Sequence, residues 1–269
     1  MTTKSPIARQ SAERASNTSK KVGLASALSK MGFCSRTRAM ALIREGQVRL
    51  NGATSRNPET PVRLGVDRIE IAGKPLRTAE KVYVMMNKPR GIVTSAADEK
   101  GRDTVYSLLP KDQEWLAPVG RLDEASEGLL VLTNDSEWAA RLTDPATHLE
   151  KSYHVQIAAR ANERLIEAME RGVETEKGGV LHAKRASLLR AGEKNSWLEM
   201  ILDESKNRQI RRMLGAHGVE VLRLIRVAIG PLQLGDLPKG AHRSLRPEER
   251  AALDRAMERR SSENARMLP

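Results

Sequence analysis

The sequence has little cysteine, few aromatic residues and no long apolar run, and each shortage excludes a class of protein. Its single cysteine, Cys34, cannot form an internal disulfide, which predicts a reducing compartment and a cytoplasmic protein. No segment approaches the ~18 apolar residues that a membrane-spanning helix needs, so we expect no membrane association. The five histidines are scattered without the spacing of metal ligands, and no metal site is expected.

An excess of basic residues indicates the kind of partner. The 269 residues include 46 Lys+Arg and 34 Asp+Glu, a formal net charge of +12. Nucleic acid and an anionic membrane surface both attract such a chain. A helix that binds membranes sets its basic residues opposite a stripe rich in Trp, Phe or Leu, yet aromatic residues make up only 3% of this sequence. Nucleic acid is therefore the preferred partner.

The chain divides into four segments by composition and pattern. We predict a disordered basic tail over residues 1–19, a small compact unit over 20–77, a larger domain over 78–246, and a charged helix with a tail over 247–269. In the larger domain strands outnumber helices and are not joined by regular helical crossovers. The fold class predicted is therefore α+β, with a mixed, largely antiparallel sheet flanked by helices.

The small unit has clear helix and turn signals. Ser35 is a suitable N-cap for a helix that carries Ala39, Leu42 and Ile43 on one face and ends at Gly46. Short strands are predicted over residues 48–50 and 68–71, with a turn at the Asn-Gly pair of positions 51 and 52.

Basic residues dominate this unit. Between positions 20 and 52 there are seven of them, against the single acid Glu45. A charge run is usually a solvated face, but this excess is larger than solubility requires and predicts contact with phosphates. The residues predicted to contact nucleic-acid phosphates here are Lys21, Lys30, Arg36, Arg38, Arg44 and Arg49.

Apolar runs and helical periods predict the elements of the larger domain. Strands are expected over residues 82–86, 129–133, 152–157, 183–189, 197–202 and 219–229, and helices over 136–142, 163–171 and 207–217.

The most informative segment is GRLDEASEGLLVLTND, over residues 120–135. A polar loop leads directly into an apolar strand, and an unpaired carboxylate buried beside a core strand is costly. A surface turn with solvated charges is one interpretation of this loop. A glycosidase-like pair formed by Asp123 and Glu127 is another.

Two further segments carry basic residues in unusual places. KNRQIRRM begins a helix with Lys206 and Arg208, where cations oppose the helix dipole at a cost of about 0.3–1 kcal/mol each. This arrangement favours a functional role, with phosphates or the Asp123 carboxylate as targets. NKPRG follows a strand and predicts a turn that presents Lys88 and Arg90.

Taken together, GRLDEASEGLLVLTND, NKPRG, EKSYHV and KNRQIRRM resemble the motif set of bacterial ribosomal-RNA pseudouridine synthases. The resemblance is to the branch named for the small-subunit rRNA uridine enzyme, which includes large-subunit enzymes. The basic N-terminal unit resembles the RNA-binding module of ribosomal protein S-four. The four segments occur in the family's order, and the resemblance covers residues 20–245.

The resemblance implies a function and a set of site residues. The family isomerises uridine in RNA at a flipped-out nucleotide without a cofactor. By resemblance Asp123 is the catalytic carboxylate, Tyr153 lies beside the target base, Lys206 pairs with the aspartate, Leu224 packs near the uracil and Arg121 is a positioning residue. Further RNA contacts are expected from Lys88, Arg208, Arg211 and Arg212.

Several alternatives remain open at the level of sequence. Asp123 could stabilise positive charge at the anomeric carbon, attack it covalently or remove a sugar proton. A non-catalytic assembly factor that binds rRNA and an enzyme acting on free nucleosides are the competing functions. The expected partner is ribosomal RNA of either subunit, free or in an assembly intermediate, and the chain is expected to be a monomer.

Overall fold

The computed structural model describes residues 21–95, 101–110, 115–175, 179–204 and 206–267, with side chains described as far as residue 258. These residues fall into two compact units. The smaller comprises the described residues up to Ala27 together with Thr37–Leu76, and the larger comprises Leu28–Arg36 and the chain from Arg77 onward. The tail predicted over residues 1–19 lies outside the described residues. None of the described helices is long and apolar enough to cross a membrane.

The first part of the chain contains two short helices and six short strands within its described residues. The helices are α1 (Leu24–Lys30) and α2 (Arg36–Arg44). The strands are β1 (Val22–Gly23), β2 (Val48–Leu50), β3 (Ala53–Thr54), β4 (Pro61–Val62), β5 (Ile69–Ile71) and β6 (Lys74–Pro75). β1 pairs with β4, and the other four form a sheet in the order β3-β2-β5-β6.

Local sequence explains these elements. Ala39, Leu42 and Ile43 are buried on α2, which confirms the apolar face predicted for it. Asn51 and Gly52 have φ angles of 50° and 85°, the pair of positive values that a type I′ turn between β2 and β3 requires. The Asn-Gly signal therefore sets the register of this hairpin.

The larger unit is built on a nine-stranded sheet. Its strands and a separate two-stranded ribbon are β7 (Tyr83–Lys88), β8 (Ala117–Val119), β9 (Glu127–Thr133), β10 (Lys151–Ile157), β11 (Val173–Glu174), β12 (Val180–Leu181), β13 (Arg185–Ala191), β14 (Ser196–Leu202), β15 (Val221–Ile229), β16 (Leu232–Gln233) and β17 (His242–Ser244). Its remaining helices are α3 (Ser136–Thr143), α4 (Glu163–Arg171), α5 (Gln209–Ala216) and α6 (Pro247–Met267).

The strand order of the sheet is β13-β14-β10-β15-β9-β7-β17, with β16 paired to β15 and β8 to β9. Every neighbouring pair is antiparallel except β9 and β15, which run parallel. β11 and β12 form a separate two-stranded sheet. This architecture confirms the predicted α+β fold with a mixed, largely antiparallel sheet.

Capping residues decide where two of the helices begin. Asn162 accepts a hydrogen bond from the Leu165 amide at 2.9 Å, and α4 begins and ends at the predicted residues. The prediction for α5 was wrong by two residues at its start and by one at its end, which is Ala216. Arg208 has a left-handed backbone with a φ of 49°, so the helix starts at Gln209 rather than at position 207.

The strands at the centre of the sheet are covered on both faces. All seven residues of β9 are buried. Leu129 and Val131 belong to one apolar cluster, and Leu130 and Leu132 to another, as the alternation of a strand requires. A third cluster is formed around β10, β14, β15 and α5. β9 is therefore a rigid support for the loop that precedes it.

Gly128 permits a close approach between the two parallel strands. It faces Arg226 in the β9–β15 ladder and has a φ of 101°. A Cβ atom at this position would lie 2.3 Å from the Arg226 carbonyl oxygen, a distance that only glycine avoids. The contact brings the loop before β9 next to β15.

Candidate active site

A pocket of about 300 Å³ lies in the larger unit. Its walls come from the loop before β9, from β10 and β15, and from the residues that lead into α5. The sequence-predicted residues that line it together are Arg121, Asp123, Tyr153, Lys206, Arg208 and Leu224. The structure therefore brings together side chains from three of the four motifs and Leu224 of β15.

A buried lysine holds the loop that carries Asp123. Lys88 is fully buried, and its Nζ donates hydrogen bonds to the carbonyl oxygens of Pro89 at 3.1 Å, Asp123 at 3.1 Å and Ser126 at 2.9 Å. Burial lowers the pKa of Lys88 to about 8, while nearby carboxylates, Asp123 foremost, act to raise it. This position contradicts the prediction that Lys88 binds a phosphate, because the ammonium is not exposed.

Other contacts fix the same loop, residues 120–126. Thr94 Oγ1 donates to the Leu122 carbonyl at 2.8 Å, and the Gly91 amide donates to the Glu124 carbonyl at 2.8 Å. Arg211 Nη2 donates to the Ala125 carbonyl at 3.1 Å. The loop is thereby held by backbone and side-chain donors from several elements, which leaves the half-buried Asp123 side chain facing the pocket.

Glu127, the other carboxylate of the motif, has a different environment. It is 2% exposed, and its two oxygens accept hydrogen bonds from Arg223 Nε at 2.9 Å and Arg223 Nη2 at 3.0 Å. Lys239 Nζ lies 2.6 Å from Oε2. Burial raises the pKa of Glu127, but the two cations outweigh it and the net pKa is lowered. Glu127 is not among the residues that line the pocket, which disfavours the glycosidase-like pair with Asp123.

Tyr153 and Leu224 form an apolar part of the wall. Tyr153 is partly buried on β10 and packs against the cluster that includes Leu224, which is 7% exposed on β15. A planar base in the pocket would find an aromatic ring and an aliphatic side chain here.

Exposed cations lie at the side of the pocket next to α5. Lys206 and Arg208 are exposed, as is Arg121 on the loop. Lys206 Nζ pairs with Glu204 Oε2 at 2.9 Å. The expected ion pair between Lys206 and Asp123 is not found among the described residues, because the ammonium is directed to Glu204 instead.

Two of the predicted RNA-binding arginines have structural contacts. Arg211 also donates from Nη1 to the Val221 carbonyl at 3.0 Å, and Arg212 Nη2 donates to Thr175 Oγ1 at 2.6 Å. Burial lowers the pKa of Arg211 from its ordinary value. Both arginines hold α5 in place, a role that the sequence did not indicate.

The predicted RNA-binding residues of the N-terminal part differ in exposure. Lys30 is half-buried, and its ammonium pairs with Glu137 at 2.6 Å. The exposed members of the set are Lys21, Arg36, Arg38, Arg44 and Arg49.

Sequence reasoning missed two cations that line the pocket, Lys151 and Arg226. Lys151 lies two residues before Tyr153 in the segment EKSYHV, and this spacing places both on the same side of a strand, a signal that could have identified it. Nothing in the local sequence marks Arg226 as a pocket residue, because its position in the pocket depends on the pairing of β10 with β15. The described residues contain no group of three or more His, Cys, Asp or Glu side chains that could hold a metal ion.

Comparisons with known proteins agree with this geometry. The model of the RNA pseudouridylate synthase family matches residues 82–216, and the model of the S4 domain matches residues 22–67. A crystal structure of a pseudouridylate synthase superimposes with a TM-score of 0.62 at 28% identity, over 86% of this chain and 99% of that one.

Similar sequences give the same result. An uncharacterised RNA pseudouridine synthase of Aquifex aeolicus is 38% identical over 231 residues, which cover 86% of this chain and 92% of the relative. A Bacillus subtilis protein named ribosomal large subunit pseudouridine synthase B is 37% identical over 220 residues, which cover 81% of this chain and 89% of the relative. These matches confirm the resemblance found in the motifs, and the chain belongs to the RNA pseudouridylate synthase family, with an S4 domain in its N-terminal part.

Proposed function

We propose that this protein isomerises a specific uridine of ribosomal RNA to pseudouridine at a flipped-out nucleotide, with Asp123 as the catalytic carboxylate and without a cofactor. The observation that carries the proposal is the pocket that Asp123 shares with Tyr153 and Lys206 in a member of this family. The relative named ribosomal large subunit pseudouridine synthase B supports rRNA as the substrate and favours the large subunit.

The reaction exchanges one bond for another at the anomeric carbon. The C1′–N1 bond breaks, its electron pair moves to N1 of uracil, and positive charge develops at C1′. A carboxylate ~4 Å away stabilises a full charge by about 4 kcal/mol at an effective dielectric constant near 20. Asp123 is the carboxylate that answers the positive charge at C1′. It can stabilise that charge by its field, form a covalent bond to C1′, or remove a sugar proton. The base then turns, C5 bonds to C1′ and loses its proton, and N1 gains one.

The walls of the pocket hold the base while it turns. The Tyr153 ring stacks on the uracil, and Leu224 contacts its edge. The phenol oxygen of Tyr153 also offers a site that can receive the proton from C5. The exposed cations Lys206 and Arg121 bind the neighbouring phosphate at the mouth of the pocket.

RNA binding supplies the free energy for extruding the nucleotide. Unstacking a base costs a few kcal/mol, which basic contacts to the backbone offset. In this proposal residues 20–77 bind RNA, residues 78–246 carry the chemistry, and the segments 1–19 and 247–269 flank them. The proposal excludes two other functions, which are rRNA binding without chemistry and action on free nucleosides.

The test compares wild type with Asp123→Ala on unmodified transcripts of large- and small-subunit rRNA and on partly assembled subunits. Each reaction is digested with nuclease, and the nucleosides are separated by chromatography. Pseudouridine is expected with wild type only, in large-subunit RNA or its assembly intermediate. Its absence from every substrate, with RNA binding retained, would identify a non-catalytic binding protein.

A second variant separates chemistry from folding. Asp123→Asn preserves the shape of the side chain and should abolish isomerisation while RNA affinity stays within about threefold, since the carboxylate acts in the transition state and not in RNA binding. An equal loss of affinity would mean that Asp123 has a structural role.

A further inference from the structure

The pocket contains an arginine whose donors are largely unused. Arg226 is 6% exposed, and its Nε donates to the Leu129 carbonyl at 2.7 Å. Its Nη2 is buried without a hydrogen-bond partner, and within the described part of the chain Nη1 has none either. Buried polar atoms in native proteins nearly always have partners, so an unused guanidinium edge in a pocket calls for a ligand that accepts hydrogen bonds.

A second cation lines the same pocket. Lys151 forms no ion pair or side-chain hydrogen bond with any residue that the structure describes. Burial and the positive charge of Arg226 lower its pKa to about 8, and the charge of Asp203 acts in the opposite direction. Two like charges that share a cavity without a carboxylate within ion-pair distance repel each other, and an anionic ligand would relieve the repulsion.

The register of the sheet places both cations beside Tyr153. Tyr153 and Arg226 are direct partners in the β10–β15 ladder, so their side chains leave the sheet on the same side. Lys151 lies two residues from Tyr153 along β10 and lines the same pocket. The free donors therefore flank the ring on which the target base is proposed to stack.

The depth of these donors within the pocket determines which part of a nucleotide they contact. The phosphates of an extruded nucleotide remain joined to the RNA chain and stay near the surface, where the exposed Lys206, Arg208 and Arg121 lie. The base enters furthest. The nearly inaccessible Arg226 is therefore placed to meet the base rather than a phosphate.

We propose that Arg226 and Lys151 form a subsite that binds the carbonyl oxygens of the target uracil and stabilises the uracil anion released when the glycosidic bond breaks. The inference rests on the proposed function. The electron pair of the C1′–N1 bond passes to N1 and is delocalised onto O2 and O4, and neither cation gives up a proton. The negative charge of the uracil anion is neutralised when C5 bonds to C1′. Because an anionic oxygen attracts a cation more strongly than a neutral carbonyl does, the subsite acts mainly in the transition state.

The test measures single-turnover isomerisation at saturating rRNA for Arg226→Gln and Lys151→Gln. We expect Arg226→Gln to slow the reaction by about 100-fold, the effect of removing one donor from a developing anion. Lys151 is less buried than Arg226, so Lys151→Gln should slow the reaction by about tenfold, with RNA affinity within about threefold for both variants. Arg164→Gln and Lys194→Gln remove matched charges from exposed positions outside the pocket and should leave the rate unchanged.

A target nucleotide whose base is a better leaving group provides a second test of the subsite. Fluorine at C5 withdraws electrons and stabilises the uracil anion, so RNA with 5-fluorouridine at the target position depends less on the protein for this purpose. The defect of Arg226→Gln, measured as consumption of the target nucleotide, should shrink by about tenfold on this RNA. An equal defect on both RNAs would overturn the proposal.

Three other outcomes are decisive. Weaker RNA binding with a lower salt dependence and an unchanged rate at saturation would assign the cations to phosphate and overturn the proposal. If circular dichroism shows that Arg226→Gln is unfolded, Lys151→Gln carries the test, and a wild-type rate would reject the subsite. Absence of pseudouridine with the wild-type protein would instead reject the proposed function itself.

Discussion

The backbone carbonyl of Asp123 accepts a hydrogen bond from the buried ammonium of Lys88 at 3.1 Å. Lys88 is the last residue of β7 and lies opposite Gly128 in the β7–β9 ladder. One charged side chain therefore joins the end of one core strand to the loop that leads into the next. The position of the proposed catalytic carboxylate depends on this contact.

Replacing Lys88 with methionine should damage both stability and activity. The Lys88→Met variant keeps the length of the side chain but removes this donor from the carbonyl oxygens of residues 89 and 126, and leaves that of Asp123 with only the Ser126 amide. Unsatisfied buried carbonyls cost about 1–3 kcal/mol each, partly offset because no ammonium is buried, so we expect a net loss of about 3 kcal/mol. Urea unfolding measures this loss, and single-turnover isomerisation should slow by about 100-fold as Asp123 shifts.

Lys184→Met is the matched control for this prediction. Lys184 pairs with Glu150 at 2.6 Å, and its side chain is 41% exposed. Surface pairs contribute up to about 1 kcal/mol, so this variant should remain close to wild type. Wild-type stability in Lys88→Met, with a selective loss of RNA affinity, would restore the sequence-based assignment of Lys88 to phosphate binding.

Local signals in the sequence account for much of the fold. The bounds of α4 were predicted correctly, with Asn162 as the cap at its start, and the Asn-Gly pair of positions 51 and 52 predicted the turn between β2 and β3. Three of the four motifs also identified side chains that line the pocket. Each of these features depends on residues that are close together in the chain.

Features set by long-range pairing were not predictable in the same way. A lysine after an apolar strand and before Pro-Arg-Gly has the pattern of an exposed turn, and only the packing of β7 against β9 shows that Lys88 is buried. Lys151 and Arg226 meet only because β10 and β15 pair in a particular register. The start of α5 was misplaced because a non-glycine residue, Arg208, adopts a positive φ, which sequence patterns seldom indicate.

The Glu127→Gln substitution tests whether Asp123 acts without a second carboxylate. Glu127 is buried and pairs with Arg223 and Lys239, so removing its charge leaves two cations without a partner. We expect a loss of about 2 kcal/mol in unfolding free energy, because both cations retain some access to water. Isomerisation by the folded variant should stay within about threefold of wild type.

The pH dependence of this loss follows from the lowered pKa of Glu127. A carboxyl group with a depressed pKa stabilises the fold above its ordinary pKa of 4.5 and loses this contribution as the pH falls through its lower value in the folded state. The difference between wild type and Glu127→Gln should therefore narrow below pH 4.5. A folded but inactive variant would favour the two-carboxylate mechanism instead.

Charge substitutions in the smaller unit test its part in RNA binding. Arg38, Arg44 and Arg49 are exposed there, and changing all three to glutamine should remove up to three phosphate contacts. The slope of log affinity against log salt concentration should become shallower by about 2, at about 0.7 per contact. Single-turnover chemistry at saturating RNA should be unchanged.

Substitution is preferred to deletion here because residues 28–36 belong to the larger unit, which removal of the whole segment would disrupt. A variant with Arg164, Arg185 and Lys194 changed to glutamine removes the same charge from exposed positions outside the predicted set and should keep the wild-type slope. If the two triple variants have equal slopes, the smaller unit does not bind phosphate through these arginines.

The rate of isomerisation should fall as the pH rises through about 8, because burial and the charge of Arg226 lower the pKa of Lys151 to about 8. Below this pH the ammonium is charged and supports the developing uracil anion, and above it the amine is neutral. The other charged groups at this site are Asp203 after β14 and the pocket residues Arg121, Asp123, Lys206 and Arg208. The expected loss is about tenfold, equal to the effect of Lys151→Gln.

Lys151→Arg distinguishes this titration from that of any other group, since an arginine stays charged at every pH used in the assay. Its single-turnover rate should remain level between about pH 7 and pH 9, where the wild-type rate falls. Lys151→Gln should also give a level profile, at the lower rate. A fall in the rate of Lys151→Arg at the same pH as in wild type would place the titrating group elsewhere and would remove Lys151 from the chemistry.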